Sequence, residues 1–159
     1  MREDAVEGKT VGEVYEDDLR RGAVVSDSTS LSEIVETLDF QGPLEALYVL
    51  DPREVYYGLI TRPDLLGWLE QELASPQGRT GFPWDRAGEA LSNAYASDAV
   101  NPNSRNVPVE PRDPLDRALR NMMTASLTVV PVLDPDGGIE GELSLTRVLR
   151  EVEDASGRR

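Results

Sequence analysis

The chain has 159 residues, 39% of them hydrophobic, which is enough for one sizeable core or two small fused ones. It has no cysteine and no histidine, and Lys9 is its only lysine, which excludes disulfides, thiolate chemistry and the histidine-based triads and zinc sites. With 16 basic and 30 acidic residues the net charge is −14; nucleic acid and anionic lipid are repelled, and an enzyme becomes the least favoured reading.

The N-terminal residues 1–9 read as a lead-in. They are acidic and lack an apolar core, so no signal peptide is expected and the expected location is the cytoplasm. Thr10 to Tyr15 begins a short helix, and Gly22-Ala23-Val24-Val25 reads as a strand. Ser30 with Glu33 forms a capping-box pattern, after which Leu31, Ile34, Val35 and Leu38 fall on one helical stripe that Gly42-Pro43 ends. Leu44 to Leu50 is a second strand, Asp51-Pro52 a turn and Val55 to Thr61 a third strand. Pro63 suits the first turn of a helix whose stripe is Leu65, Leu66, Leu69 and Leu73.

Residues 75–94 form an insert with a linker-like start and a short helix over its second half. Phe82 and Trp84 are unusual in a linker and are expected to pack back on the body, the alternative being a partner contact. Tyr95 to Val100 then takes the place of the opening short helix, and Val107-Pro108-Val109 that of the first strand. Asp113-Pro114 is expected to cap a helix with the stripe Leu115, Ala118, Leu119 and Met122. Leu127–Leu133 and Ile139–Ser144 are strands joined by a turn at Asp134 to Gly138, and Leu145–Val152 is a closing helix.

The second half repeats the first. Gly58-Leu59-Ile60-Thr61 is echoed by Gly141-Glu142-Leu143-Ser144, 83 residues on, and the turn aspartates Asp51 and Asp134 keep the same spacing. The division expected is 10–74 and 95–152 for the two copies, with a tail at 153–159. Each copy alone leaves an apolar sheet face bare, so the two are expected to stack face to face with a cleft along their pseudo-twofold. The fold class is α+β, two β-α-β-β-α repeats packed through their sheets.

These features carry a family resemblance. The recurrent Gly-apolar-apolar-Thr/Ser-x-x-Asp ending, each time after a strand and an Asp-Pro turn, resembles the CBS domain. Val129-Val130-Pro131-Val132-Leu133-Asp134 matches the family's Pro-Val-apolar-Asp strand, and Tyr48 replaces that proline in the first copy. The tandem pair resembles a Bateman module. The resemblance implies a regulatory unit with no required cofactor, which binds an adenine nucleotide or related adenosyl compound between the repeats. It also implies a homodimer that acts on enzymes, transporters or channels; the insert is loosely similar to that of voltage-gated chloride channels. The alternatives are a structural pair that has lost its ligand and serves dimerisation, and the cytoplasmic region of a membrane transporter or channel.

The site that the resemblance implies comprises Thr61, Arg62 and Asp64, with Val24, Val25, Ala46, Leu47 and Tyr48 as the adenine wall. Asp64 suits two ribose hydroxyls, Thr61 ribose or phosphate, and Arg62 a phosphate; free N–H groups at the helix start suit an anion. The competing reading of Thr61 and Asp64 is a local helix cap. In the second copy Ser144 keeps the hydroxyl, but Arg147 stands where the family has aspartate; it cannot accept from ribose, and the roles left to it are to grip a phosphate or to block the pocket. Pro108, Val109, Val129, Val130 and Pro131 match its wall. One functional pocket is therefore expected, with no metal site. The acidic balance favours weakly charged adenosyl ligands or a salt-rich setting over tight ATP binding at low salt.

Overall fold

The computed structural model describes residues 8–40, 44–74 and 81–155. The helix stop at Gly42-Pro43, the first part of the insert and both chain ends lie outside the described residues.

Among the described residues, five strands and five α-helices follow in the order β1 (Gly22–Ser26), α1 (Leu31–Phe40), β2 (Ala46–Leu50), β3 (Tyr56–Ile60), α2 (Arg62–Glu72), α3 (Trp84–Asn93), α4 (Leu115–Ala125), β4 (Val129–Leu133), β5 (Ile139–Ser144) and α5 (Leu145–Ala155). Single 3₁₀ turns at Val11–Glu13 and Ala96–Asp98 open the two repeats. In the first sheet β1 runs parallel to β2 through the crossover helix α1, and β2 pairs antiparallel with β3. In the second sheet β4 and β5 pair antiparallel.

The expected strand at 107–109 is reduced to one parallel bridge, Val109 to Val132. Pro108 has no N–H to donate to a ladder, so only Val109 bonds across, its N–H to Pro131 O and its carbonyl to Leu133 N.

The two hairpins are built alike. Asp51 Oδ1 accepts from the N–H groups of Arg53 and Val55, and Asp134 Oδ1 from those of Asp136 and Gly138. A register shift precedes each turn, at Val49/Leu50 and at Val132/Leu133. These aspartates close the turns with their own side chains, which is why they recur at the repeat spacing.

One apolar cluster joins Ala46, Tyr48 and Leu59 of the first sheet to Val129, Val130, Val132 and Leu143 of the second and to the α4 stripe Leu115, Ala118 and Met122. The repeats thus bury their bare sheet faces against each other, as the duplication predicts. A second cluster lies under α1, from Leu31, Ile34, Leu47, Val49 and Ile60.

The 3₁₀ turns are exchanged. Val11 and Val14 pack in the core of the second repeat, while Ala94, Ala96 and Ala99 pack in that of the first. Glu16 and Glu142 exchange both backbone hydrogen bonds, and Asn101 N donates to Leu59 O. Gly58 and Gly141 lie under these crossing segments. A Cβ on Gly141 would collide with Glu16 O and the Tyr15 ring, and one on Gly58 with Val100. The glycine of the repeated motif makes room for the other repeat's chain.

Several local expectations are corrected. Val35 is exposed, so the α1 stripe is Leu31, Ile34 and Leu38. No residue of α2 is buried; Leu65 and Trp68 face the core, and Leu66 points outward. Phe82 and Trp84 do not pack on the body. They are 51% and 76% exposed and lean on each other with ring centroids 4.5 Å apart. Asp113 does not cap α4, since its carboxylate accepts from Glu110 N.

Candidate functional site

The first repeat turns from β3 into α2 at Thr61, which is extended and therefore serves as the N-cap. Asp64 Oδ2 accepts from Thr61 N at 2.8 Å and from Thr61 Oγ1 at 2.7 Å, while Asp64 N donates back to Thr61 Oγ1 at 3.4 Å. This is a reciprocal capping box with aspartate in the third position. Asp64 Oδ1 accepts from Asn101 Nδ2 at 3.1 Å, and the turn at Asn101 is itself stitched to β3 through Ser104 Oγ, which accepts from Leu59 N. A carboxylate has about four lone-pair positions, so three donors orient Asp64 and leave one position open.

Beside this corner lies a cleft of about 630 Å³. Its first-repeat side is Leu44 and Glu45 at the entrance to β2 together with Thr61, Arg62, Pro63 and Asp64; Asn101 adds to it, and the opposite side is Ala125 to Thr128, where α4 turns into β4. Ser126 takes a left-handed conformation there, with φ 57°, and swings the chain toward the cleft. The Glu45 carboxylate reaches across to Thr128, whose Oγ1 donates to Oε1 at 3.4 Å. Arg62 is exposed and makes no ion pair among the described residues.

Of the residues singled out in the sequence, the structure brings Thr61, Arg62 and Asp64 together at this cleft. Ala46, Leu47 and Tyr48 lie in the core, Val24 is exposed on β1 away from the cleft, and Val25 packs under α1. The apolar wall is instead Leu44, Ala125 and Leu127. The signal for it was present, because Leu44-Glu45 and Leu127-Thr128 stand at the same position of the two repeats, 83 residues apart. The expectation of free N–H groups at the helix start narrows to one: Pro63 has none, those of Asp64 and Leu65 are taken by Thr61, and that of Arg62 alone has no hydrogen bond among the described residues.

Tyr48 has a different place from the one expected of it. Its hydroxyl is buried and donates to Glu142 Oε1 at 2.7 Å, while Glu142 Oε2 accepts from the N–H groups of Arg20 and Arg21 at 2.7 and 2.6 Å. Burial, and then the Glu142 charge, raise the Tyr48 phenol well above its ordinary value, so it remains a donor.

In the second repeat Ser144 Oγ accepts from Arg147 N and serves the start of α5. The Arg147 guanidinium lies 2.8 Å from Glu151, which also holds Lys9 at 2.6 Å. The hydrogen bond from Lys9, aided by Arg147, pulls the Glu151 carboxyl below its ordinary value. Val109, Val130 and Pro131 are buried. None of these residues lines the Asp64 cleft.

The chain covers 94% of itself and 99% of CBSX2, a protein of Arabidopsis thaliana, in its complex with AMP, at 23% identity and a TM-score of 0.65. A CBS domain-containing protein of Bacillus anthracis is 22% identical with a TM-score of 0.68, over 96% of this chain and 98% of that one. The cytosolic domain of the Mg²⁺ channel MgtE in complex with ATP is 19% identical with a TM-score of 0.63, over 91% of this chain and 49% of that one. These likenesses show the shared fold. No curated protein matches the chain. The CBS domain description matches residues 11–71 and again 96–154, most of the chain and one stretch for each structural repeat. With its duplicated sheets, exchanged lead-in turns and paired hairpins, the chain belongs to the CBS domain family.

Proposed function

We propose that the chain is a regulatory, non-catalytic module. It binds an adenosine-containing ligand (AMP, ADP, ATP or S-adenosylmethionine) in the cleft between its repeats and relays that occupancy to a partner protein or an attached transporter or channel. The observation that carries this reading is the convergence of Thr61, Arg62 and Asp64 with Ala125 to Thr128 of the other repeat on one cleft of about 630 Å³. Two relatives of the same fold support it, CBSX2 solved with AMP and the MgtE cytosolic domain solved with ATP. The open acceptor position of Asp64 suits a ribose hydroxyl, and Leu44 and Leu127 offer apolar surface to a base. A ligand that touches both repeats distinguishes between their arrangements, which relay requires. The exposed Leu66 and Leu149, equivalent positions on α2 and α5, suit a homodimer contact. The cytoplasm is the proposed location, and no described helix is long and apolar enough to cross a membrane.

Calorimetry with the four compounds tests the reading. Asp64→Ala is expected to weaken binding ten- to a hundredfold, the loss of a charge-assisted hydrogen bond, at a stability cost of about 1–2 kcal/mol for the cap that leaves the protein folded. Unchanged affinity in that variant refutes it. A second reading, a ligand-free pair used for dimerisation, draws on the three hydrogen bonds that Asp64 already accepts and on the pairing of Arg147 with Glu151. Thermal melts that no adenosyl compound shifts select that second reading.

A further inference from the structure

We infer that Glu45 makes the cleft a charge filter, favouring adenosyl compounds whose 5′ substituent is neutral or cationic over those that carry phosphates. This rests on the nucleoside reading above and specifies its ligand class. Glu45 stands at the entrance to β2 and lines the cleft. Its Oε1 has only the long bond from Thr128, and its Oε2 is buried and accepts no hydrogen bond. The Arg21 guanidinium is 3.7 Å from Oε2, an ion pair beyond hydrogen-bonding range. A carboxylate at a cleft wall with one long hydrogen bond keeps its negative charge beside the ligand and has nothing to offer a phosphate.

The helix start points the same way by an independent route. Phosphates gain from the free N–H groups at a helix N-terminus. At α2 Pro63 has no N–H and those of Asp64 and Leu65 are bonded to Thr61, so only the Arg62 N–H is left for an anion, and the carboxylate of Asp64 already occupies the favourable end of the helix dipole. Arg62 is the one cation among the lining residues, against the carboxylates of Glu45 and Asp64. The net charge of −14 adds to the repulsion of a polyphosphate.

The test is calorimetry of adenosine, AMP, ATP and S-adenosylmethionine on wild type, Asp64→Ala and Glu45→Gln at low and high salt. Wild type is expected to bind adenosine and S-adenosylmethionine more tightly than AMP, and ATP most weakly. Added salt should strengthen ATP binding. Glu45→Gln, which also leaves Arg21 without this partner, should shrink the ratio of S-adenosylmethionine to ATP affinity roughly tenfold. ATP binding tightest to wild type at low salt, or weakening with salt, overturns the inference without any variant. A ratio that Glu45→Gln leaves unchanged overturns it too, while loss of binding in Asp64→Ala would leave the nucleoside reading standing. If none of the four compounds binds wild type, both fall together.

Discussion

Glu54 holds a left-handed backbone, φ 63°, at the turn position that Gly137 fills in the other hairpin with φ 91°. An L side chain in that region costs about 1–2 kcal/mol, and glycine returns about 0.5–1 kcal/mol of it as lost chain entropy. Glu54→Gly is therefore expected to stabilise the protein by up to about 1 kcal/mol, read as a rise in the urea midpoint with an unchanged slope. A lower midpoint contradicts the account. At this scale the bonds by which Asp64 caps α2 also hold its carboxylate at the cleft wall. Capping and ligand binding, opposed as readings of the motif, are compatible in the geometry.

Among the elements, the segments that cross between repeats depend on the two motif glycines. Gly141→Ala sets a methyl group against Glu16 O, a backbone atom, whereas Gly58→Ala meets a methyl of the Val100 side chain. Overpacking of this kind costs about 1–3 kcal/mol, so Gly141→Ala is expected near the upper end and Gly58→Ala below it. Gly67 is a control within α2, because a Cβ there meets nothing within 4 Å. Gly67→Ala should instead stabilise by about 1 kcal/mol through helix propensity. Urea unfolding of the three variants checks the order. Losses under about 0.5 kcal/mol at both Gly58 and Gly141 would show that the crossing segments do not bear on these positions.

Across the whole molecule, two buried carboxylates of the second repeat fasten distant parts of the chain. Glu142 joins Tyr48 of the first sheet to the backbone ahead of β1, and Glu151 joins Lys9 to α5. Tyr48→Phe removes one donor from Glu142 and is expected to cost about 1–3 kcal/mol by chemical denaturation; a loss under about 0.3 kcal/mol would remove Glu142 from the list of inter-repeat fasteners. The Glu151 carboxyl is lowered in the folded state, so its contribution is complete above its ordinary value of 4.5 and fades as pH falls through the folded value. The Lys9 ammonium is raised, so its share is present below 10.5 and fades as pH rises through the folded value. The stability gap between wild type and Glu151→Gln should accordingly be widest near neutral pH and close in acid. A gap independent of pH from 3 to 7 would contradict the pairing.

Much of this was legible in the chain because it depends on contacts a few residues apart. The spacing of 83, the self-closing turns at Asp51 and Asp134, the Thr61–Asp64 box and the α4 stripe are local hydrogen bonds and local periodicity, which neighbouring residue types dictate. The stacking of the sheets followed from the bare face that each repeat leaves. The exchanged lead-in turns, the burial of Tyr48 against Glu142 and the reduction of 107–109 to one bridge were decided by tertiary structure, since each depends on segments up to about a hundred residues apart in the chain. The cleft wall was missed for the same reason. Glu45 and Thr128 are ordinary strand-entry residues until the second repeat folds over the first and places both beside Asp64. Composition and repetition determined which surfaces had to meet, and only the meeting of the two halves determined which side chains share the space between them.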